Sequence, residues 1–418
     1  LPRFGFAASV GDKSPCTRVC TGGKRKLRSM ADHPPPDTKR GHGTKRGGKS
    51  GKVADFRYKR PSRPDGKRGE RRNASRRDGK PVSRGPVPAV PPGPGTHRQA
   101  YAALDLGTNN CRLLVARPAP GGFRVIDGFS RIVRLGEGLS ASGKLSDAAI
   151  ERTTEALRAC AGKIDGRDVK ETRSVATEAC RQAANGEAFL DHVRWETGLA
   201  LKTISATEEA QLTVSGCAPL LRTGHARALM FDIGGGSTEL MWIENKPGRP
   251  PRALDIISLP FGVVGLAEEF GEDPLPAHDM ERIVERVDRT LAPFEKRHRI
   301  GTDIEAGRVH MLGTSGTVTT LGAIYLDLPR YDRSRVDGLS IRLESAHAIC
   351  AKLVGLNFED RHNHPCIGPG RADLMVMGCT ILTAIFRRWP VDSLTAADRG
   401  IRDGLLLDMM AADGAPPA

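Results

Sequence analysis

The chain has 418 residues, enough for two or three domains, of which 39% are hydrophobic and 27% charged. Its formal net charge is +15. Residues 1–98 hold 26 Lys and Arg against 7 Asp and Glu, so the remaining residues hold 38 Lys and Arg against 42 Asp and Glu. No apolar run reaches 18 residues and no signal-peptide core is present, which excludes a spanning helix and a secretion signal from the prediction.

The composition of residues 1–98 predicts a disordered basic tail. Stretches such as 39–49 and 86–94 are rich in Gly, Pro, Lys or Arg and have almost no large apolar side chain, so burial cannot offset the entropy that folding would cost. Met30 is a candidate translation start, in which case the residues before it are upstream sequence. We expect the tail either to contact nucleic acid or another polyanion or to be a dispensable solvated arm.

Cysteine usage points to a reducing compartment. The nine cysteines are scattered and form no Cys-x-x-Cys pair. We therefore expect a cytoplasmic protein without structural zinc and without membrane contact.

Beyond the tail, apolar strand patterns alternate with helical periodicity. Helical spacing of apolar residues is found over 150–164 and 280–291, with Ser146 and Asp279 at the expected N-caps. The order in each half is three strands, then helix and strand in alternation, which predicts mixed α/β sheets covered by helices. The predicted strands are 101–105, 111–117, 123–134, 172–176, 200–205, 226–232, 238–244, 252–259 and 308–312.

The later segments carry weaker signals. Residues 260–270 are predicted as a turn into a helix, residues 360–371 as a loop and residues 397–410 as a final helix. We expect His362 and His364, in the loop, to be solvated rather than to bind a metal. The His and Asp pattern of an HD-type phosphohydrolase is missing from the sequence.

Two glycine-containing turns, each opened by an aspartate, are the strongest functional signal. They are Asp-Leu-Gly-Thr-Asn-Asn at 105–110 and Asp-Ile-Gly-Gly-Gly-Ser-Thr-Glu at 232–239, each between apolar strands. Glycines let backbone amides approach phosphate oxygens, and the carboxylate can hold a divalent cation. A single Asp-Gly turn is usually only a hairpin, but the repetition predicts a duplicated domain with a phosphate site between its halves.

A third loop of the same character, Gly-Thr-Ser-Gly-Thr at 313–317, follows another apolar strand. None of the three loops has the Gly-x-x-x-x-Gly-Lys-[Ser/Thr] pattern of a P-loop or the Gly-x-Gly-x-x-Gly pattern of a dinucleotide site. A phosphate site of a different kind is therefore expected.

Six motifs in this order resemble the exopolyphosphatase and guanosine pentaphosphate phosphatase (Ppx/GppA) family, within the actin-like ATPase superfamily. They are Leu-Asp-Leu-Gly-Thr-Asn at 104–109, Val-Arg-Leu-Gly-Glu-Gly-Leu at 133–139, Ala-Thr-Glu-Ala-Cys-Arg at 176–181, Glu-Glu-Ala at 208–210, the second turn with its flanks at 231–240, and Gly-Thr-Ser-Gly at 313–316. Asn110 and Cys111 depart from the Ser and aromatic residue of many members, which puts only local loop contacts in doubt.

The resemblance implies the short form of this family, an α/β protein of two actin-like (ribonuclease H-like) domains with a cleft between them. The first domain would span 99–223 and be completed by the C-terminal helix, 397–411. The second would span 224–396. A homodimer is expected.

The resemblance also implies hydrolysis of a terminal phosphoanhydride with Mg²⁺ or Mn²⁺. Glu209 resembles the family's general base, with Glu208 as the alternative, and Arg181 resembles its phosphate-facing arginine. The residues expected to hold the cation or its waters are Asp105, Asp232 and Glu239. Those expected to cradle phosphate oxygens are Thr108, Asn109, Gly234, Gly235, Gly236, Ser237, Thr238, Gly313, Thr314, Ser315 and Gly316.

Elementary chemistry agrees with these roles, because hydrolysis of a polyanion needs neutralised charge and one oriented water. Some of the same residues also fit a purely structural explanation. Residues 207–210 could be an ordinary helix start with acidic first-turn side chains, and Arg181 could be a surface helix residue.

The expected function is an exopolyphosphatase that releases terminal phosphate from inorganic polyphosphate. The alternatives are a guanosine pentaphosphate 5′-phosphohydrolase and a non-catalytic alarmone or nucleotide sensor. A sugar or acetate kinase would need adenosine-binding elements and a sugar-binding aspartate loop that the sequence does not display.

Overall fold

The computed structural model describes residues 99–271, 273–368 and 370–414. The predicted disordered tail, 1–98, lies outside these ranges. Within them, none of the helices combines the length and the apolar character that crossing a membrane requires. Two sheets with their covering helices organise this part of the chain.

The first sheet has the strand order β3-β2-β1-β4-β5. Its β1–β2 and β2–β3 pairs are antiparallel, whereas β1–β4 and β4–β5 are parallel. The strands are β1 (Ala100–Leu106), β2 (Asn110–Ala119), β3 (Gly122–Ile132), β4 (Val169–Ala176) and β5 (Leu201–Thr203).

The second sheet repeats this arrangement in the order β8-β7-β6-β9-β11-β10. Again two antiparallel pairs precede two parallel pairs, and β10 is added antiparallel at the far edge. The repetition confirms the duplication predicted from the paired turns. The strands are β6 (Arg227–Ile233), β7 (Thr238–Glu244), β8 (Arg252–Leu259), β9 (Val309–Thr314), β10 (Leu339–Arg342) and β11 (Ser393–Ala397).

Fourteen α-helices connect and cover the strands within the described ranges. They are α1 (Leu139–Ser142), α2 (Asp147–Asp165), α3 (Glu178–Gln182), α4 (Gly186–Thr197), α5 (Ala206–Cys217), α6 (Val263–Glu269), α7 (Ala277–His298), α8 (Ile300–Glu305), α9 (Gly316–Tyr325), α10 (Arg333–Val336), α11 (Leu343–Gly355), α12 (Phe358–His362), α13 (Ala372–Arg388) and α14 (Ile401–Ala412).

The first sheet is buried on both faces because helices cover each of them. Side chains alternate between faces along a strand, so Leu104 packs in one core with Leu157 of α2, while Ala103 packs in another with Leu405 of α14. The C-terminal helix thus covers the first sheet although it follows the second in sequence. This packing supports the predicted division at 99–223 and 224–396, whose boundaries stay predictions.

Helices α5 and α14 cross at glycines. A Cβ atom on Gly404 would lie 2.1 Å from the carbonyl oxygen of Leu212, and one on Gly216 would lie 2.3 Å from the carbonyl oxygen of Gly400. Side chains at these positions would force the helices apart, because real Cβ contacts are never so short. The two helices run antiparallel at this crossing, so the C-terminal turn of α5 lies beside the start of α14.

Two local predictions were wrong. Asp279 is not an N-cap: α7 already begins at Ala277, after Pro276, and the Asp279 carboxylate lies in the first turn, where the helix dipole favours it. Residues 360–362 are not loop but belong to α12, whose cap is Asn357. The side chain of Asn357 accepts a hydrogen bond of 2.8 Å from the amide of Asp360. By contrast, Ser146 caps α2 as predicted.

The final helix begins later than predicted, because Ala397 is the last residue of β11 and α14 starts at Ile401. Neither β10 nor β11 was predicted. Both strands are short, and small residues such as those at 396–397 have no strong strand preference. Only pairing with β9 and with each other makes these segments strands.

Candidate active site

The two predicted turns are hairpin loops at corresponding positions of the two sheets. Residues 107–109 join β1 to β2, and residues 234–237 join β6 to β7. In each hairpin the opening aspartate is the second-last residue of the first strand: Asp105 pairs with Arg112, and Asp232 pairs with Glu239. A hairpin turn and a phosphate-binding turn are therefore compatible explanations of these residues. The same turn joins two paired strands and presents backbone amides at its tip.

Both hairpin loops face one cleft of about 830 Å³, a volume that includes open solvent space at its mouth. The lining is dominated by small, polar and charged side chains and by glycine backbone. The predicted residues that line it are Asp105, Thr108, Asn109, Glu209, Asp232, Gly234, Gly235, Gly236, Ser237, Ser315 and Gly316. Residues that the sequence analysis did not select line it as well: Asn110, Arg112, Thr177, Glu178, Thr317 and Arg371 among them.

The two hairpin loops touch each other across the cleft. A Cβ atom on Gly235 would lie 3.0 Å from the Cβ of Thr108, and one on Gly236 would lie 2.7 Å from its Oγ1. The glycines are needed because a side chain at either position would displace the opposing loop. Backbone amides from both sheets are thereby brought close enough to surround one phosphate group.

Carboxylates cluster at the floor of the cleft. Burial, followed by the charge of Glu239, raises the pKa of Asp232 to about 7, and Asp105 adds to this effect. Burial also raises the pKa of Asp105, although Arg112 and Arg402 oppose the shift. These acids favour their neutral forms because their charges are close together and shielded from water.

Glu209 and Glu208 differ sharply in position. Ser205 caps α5 by accepting a hydrogen bond from the amide of Glu208, whose side chain is exposed. Glu209 is only 8% exposed and lines the cleft. Burial, and then the charge of Glu239, raise the pKa of Glu209 well above its ordinary value. The helix register thus selects Glu209 rather than Glu208 as the carboxylate that can reach a substrate.

Arg181 does not line the cleft. Its guanidinium donates hydrogen bonds of 2.9 Å to Glu209 and of 2.9 Å to Glu178, and one of 2.6 Å to the carbonyl oxygen of Ile204. The arginine therefore orients two cleft carboxylates from behind. Its contact with phosphate stays a prediction.

Four other predicted residues lie behind the lining. Glu239 is 2% exposed and accepts a hydrogen bond of 2.8 Å from Ser258. Thr238 donates to the carbonyl oxygen of Phe261 at 3.1 Å, and Thr314 donates to that of Arg399 at 2.6 Å. The fourth, Gly313, lies in β9, where a Cβ would meet the Phe231 ring at 2.6 Å. The structure gives these residues supporting positions.

Three arginines that the sequence analysis missed converge on the cleft. Arg112 and Arg371 line it, and Arg402, outside the lining, is close enough to Asp105 to lower the pKa of that carboxyl. Burial lowers the pKa of Arg371 and of Arg402, and repulsion from Arg112 lowers both further. No hydrogen bond or ion pair joins these three side chains to the residues that the structure describes. Half-buried cations without an ion-pair partner are suited to a polyanion. A signal for Arg112 existed, since it lies opposite Asp105 in the hairpin.

The donor set of the cleft fits a hard divalent cation. The Oδ1 atoms of Asp105, Asn109 and Asn110 are buried and have no hydrogen-bond partner among the described residues. Across the same ranges, no group of three His, Cys, Asp or Glu side chains is arranged to hold a metal ion by itself. Mg²⁺ needs no such cage, because it is commonly held by one or two carboxylates together with waters and substrate phosphates. A cation would also relieve the repulsion between Asp105 and Asp232.

Two repeated sheets that enclose a cleft of carboxylates, hairpin amides and arginines define a phosphate-processing protein of the actin-like fold. The sequence profile of the Ppx/GppA phosphatase family matches residues 114–413. The chain is 30% identical over 322 residues to exopolyphosphatase 2 of Mycobacterium tuberculosis. The matched region covers 74% of this chain and 98% of that protein. The chain therefore belongs to the Ppx/GppA phosphatase family.

Solved structures agree with this assignment. The Aquifex aeolicus member of the Ppx/GppA family is 27% identical, with a TM-score of 0.64 over 76% of this chain and 99% of that one. An exopolyphosphatase from Cytophaga hutchinsonii has a TM-score of 0.67 over 76% of this chain and 99% of that one, and at 22% identity it shows a shared fold. The predicted pair of actin-like domains is confirmed.

Proposed function

We propose that the protein is an exopolyphosphatase, dependent on Mg²⁺ or Mn²⁺, that releases terminal phosphate from inorganic polyphosphate. One observation carries the proposal: mutually repelling carboxylates, amide loops from both sheets and unpaired arginines share a single cleft. The homologous exopolyphosphatase supports the same activity.

Different residues of the cleft have different roles in this reaction. The amides of Gly235, Gly236 and Ser237 and the side chains of Thr108 and Asn109 hold the oxygens of the terminal phosphate. The amide of Gly234 instead donates to the carbonyl oxygen of Ser237 at 2.9 Å and closes the loop. Arg112 and Arg371 neutralise its charge. Asp105 and Asp232 would hold the cation, which would supply further neutralisation of the phosphate charge.

Glu209 is positioned to orient a water molecule and to take its proton. Its raised pKa makes the carboxylate a stronger base than an ordinary glutamate. The hydrogen bond from Arg181 fixes the direction of Oε2, so the opposite oxygen, Oε1, remains for the water. This arrangement suits attack on a terminal phosphorus atom.

The lining favours polyphosphate over guanosine pentaphosphate. Across the described ranges, no aromatic side chain lines the cleft, so a guanine base would find no ring on which to stack. A chain of phosphates needs only amides, arginines and a cation, all of which the cleft presents.

Phosphate release from long-chain polyphosphate, measured with Mg²⁺ and with EDTA, tests the proposal. We expect release with Mg²⁺ and essentially none with EDTA. Specificity constants for polyphosphate and guanosine pentaphosphate, measured side by side, should favour polyphosphate. A clear preference for the nucleotide would replace the proposed substrate, and hydrolysis of neither would indicate a sensor.

A further inference from the structure

The motif Val-Arg-Leu-Gly-Glu-Gly-Leu at 133–139 supplies no lining group to the deep cleft described above. Its backbone instead supports the first hairpin loop. The amides of Val133 and Arg134 donate to the carbonyl oxygen of Asn109 at 2.9 and 3.1 Å, and the amide of Gly136 donates to that of Thr108 at 2.9 Å. The motif thus holds the peptide groups of two proposed phosphate-binding residues.

The motif is itself anchored to the first domain. Arg152 of α2 donates a hydrogen bond of 3.2 Å to the carbonyl oxygen of Val133 and one of 2.7 Å to Glu137. A Cβ atom on Gly136 would lie 2.3 Å from Cγ2 of Thr108, so the motif and the hairpin loop pack in direct contact. Movement of the motif would therefore move the loop.

The second hairpin loop has an equivalent support, the start of α6. The amides of Val263 and Val264 donate to the carbonyl oxygens of Gly234 and Gly235 at 3.0 and 2.8 Å. Gly262 packs so closely that a Cβ there would lie 2.5 Å from the carbonyl oxygen of Gly234. Each phosphate-binding loop is therefore backed by a second segment of its own domain.

One carboxylate joins the two supports. Glu268, on α6, accepts a hydrogen bond of 2.7 Å from the amide of Gly138 and one of 2.9 Å from the hydroxyl of Ser140. Both donors belong to the first domain, immediately after the segment that holds Thr108 and Asn109. The motif at 133–139 makes a second contact with the other domain, an ion pair of 2.9 Å between Arg134 and Asp373 of α13.

We propose that Glu268 is a positioning residue that sets the spacing of the two phosphate-binding loops by linking their supports. The inference rests on the proposed function, since it concerns how that cleft is held. With the link in place, amides from both domains contact the same phosphate group. Without it, the loops separate and each binds phosphate alone, which weakens binding in the ground state and the transition state alike.

Glu268→Ala tests this role, with Glu269→Ala as the matched control. Glu269 is the adjacent residue on α6 and pairs with Arg286 of its own domain at 2.6 Å. We expect the KM for polyphosphate to rise about tenfold in Glu268→Ala, the scale of a modest misplacement of binding groups, with kcat nearly unchanged. Glu269→Ala should keep both constants. Glu268→Gln should recover most of the loss, because its amide can accept from Gly138 and donate to Ser140.

Hydrogen–deuterium exchange gives a readout that needs no substrate. Peptides that cover 107–110, 133–140 and 261–268 should exchange faster in Glu268→Ala than in Glu269→Ala. Melting temperatures should stay close to wild type, since both hydrogen bonds of Glu268 are at the surface.

Equal exchange in the two alanine variants would overturn the link, and faster exchange with unchanged KM would overturn the positioning role. If the wild-type protein releases no phosphate from polyphosphate, the proposed function fails by itself. The exchange comparison then still decides whether Glu268 joins the two supports.

Discussion

Asp232 is the second-last residue of β6 and shares the cleft floor with Asp105. We expect Asp232→Asn to reduce phosphate release at least about a hundredfold, the scale of losing one well-placed electrostatic group. Circular dichroism should be unchanged. In EDTA the thermal midpoint should match or exceed the wild-type value, because the substitution removes a buried charge that its neighbours repel. Full activity of the wild-type protein in EDTA would contradict the metal assignment.

The buried position of Glu209 predicts a kinetic effect opposite in kind to that of Glu268. Glu209→Gln should lower kcat by at least about a hundredfold and leave KM nearly unchanged, since a base that activates water acts mainly in the transition state. Steady-state kinetics of Glu208→Gln supply the control, as Glu208 is exposed. A larger loss in the control would place the base one residue earlier.

The raised pKa of Asp232 predicts how pH acts on the protein without metal. The folded pKa of about 7 lies above the ordinary value of 3.8, so the folded state binds the proton more tightly than the unfolded state does. The stability that this tighter proton binding contributes is complete below pH 3.8 and is lost as the pH rises through about 7. Melts in EDTA should therefore show a lower thermal midpoint at pH 8 than at pH 5.5. With Mg²⁺, the midpoint should rise more at pH 8, where the carboxylate is free to bind. An equal rise of the thermal midpoint with Mg²⁺ at pH 5.5 and at pH 8 would contradict the assignment of Asp232 as a metal ligand with a raised pKa.

At the scale of elements, the crossing of α5 and α14 determines where Glu209 meets the cleft and where Arg402 lies relative to Asp105. Gly404→Ala should lower the free energy of unfolding by at least about 2 kcal/mol, because the new methyl group would overlap the Leu212 carbonyl. Chemical denaturation measures the change. Gly162→Ala on the exposed side of α2 is the control, since a Cβ there meets nothing within 4 Å. It should stabilise the protein by about 0.5–1 kcal/mol. A neutral Gly404→Ala would show that the helices separate easily.

Element prediction succeeded where local pattern and tertiary environment agree. All nine strands from β1 to β9 were predicted, because most of them contain apolar residues next to turn residues. It failed for β10 and β11, whose short segments become strands only by pairing with β9 and with each other. The starts of α7 and α14 were also misplaced, since helix ends depend on contacts that a periodic pattern does not contain.

At the scale of the whole molecule, charge separates the tail from the catalytic body. Residues 1–98 carry an excess of 19 positive charges, whereas the rest carries an excess of 4 negative charges. Deleting 1–98 should leave kcat on short polyphosphate unchanged, because every predicted site residue lies beyond residue 98. It should raise the KM for long chains and flatten its dependence on salt. Kinetics at several salt concentrations, with nucleic-acid binding measured in parallel, make the comparison. Identical salt dependence would favour a dispensable arm.

The sequence by itself determined the duplication, the turn chemistry and the family, because glycines, aspartates and alternating apolar residues express local requirements of strands and tight turns. Only the tertiary structure decided which charged residues share the cleft. Arg371 comes from a distant segment, and a Cβ atom on Gly316 would lie 3.5 Å from its guanidinium. Arg181 supports Glu209 from behind. Those arrangements depend on how α5, α13 and α14 pack against two sheets. Side-chain direction at a long-range contact is set by that packing, which a single sequence does not display.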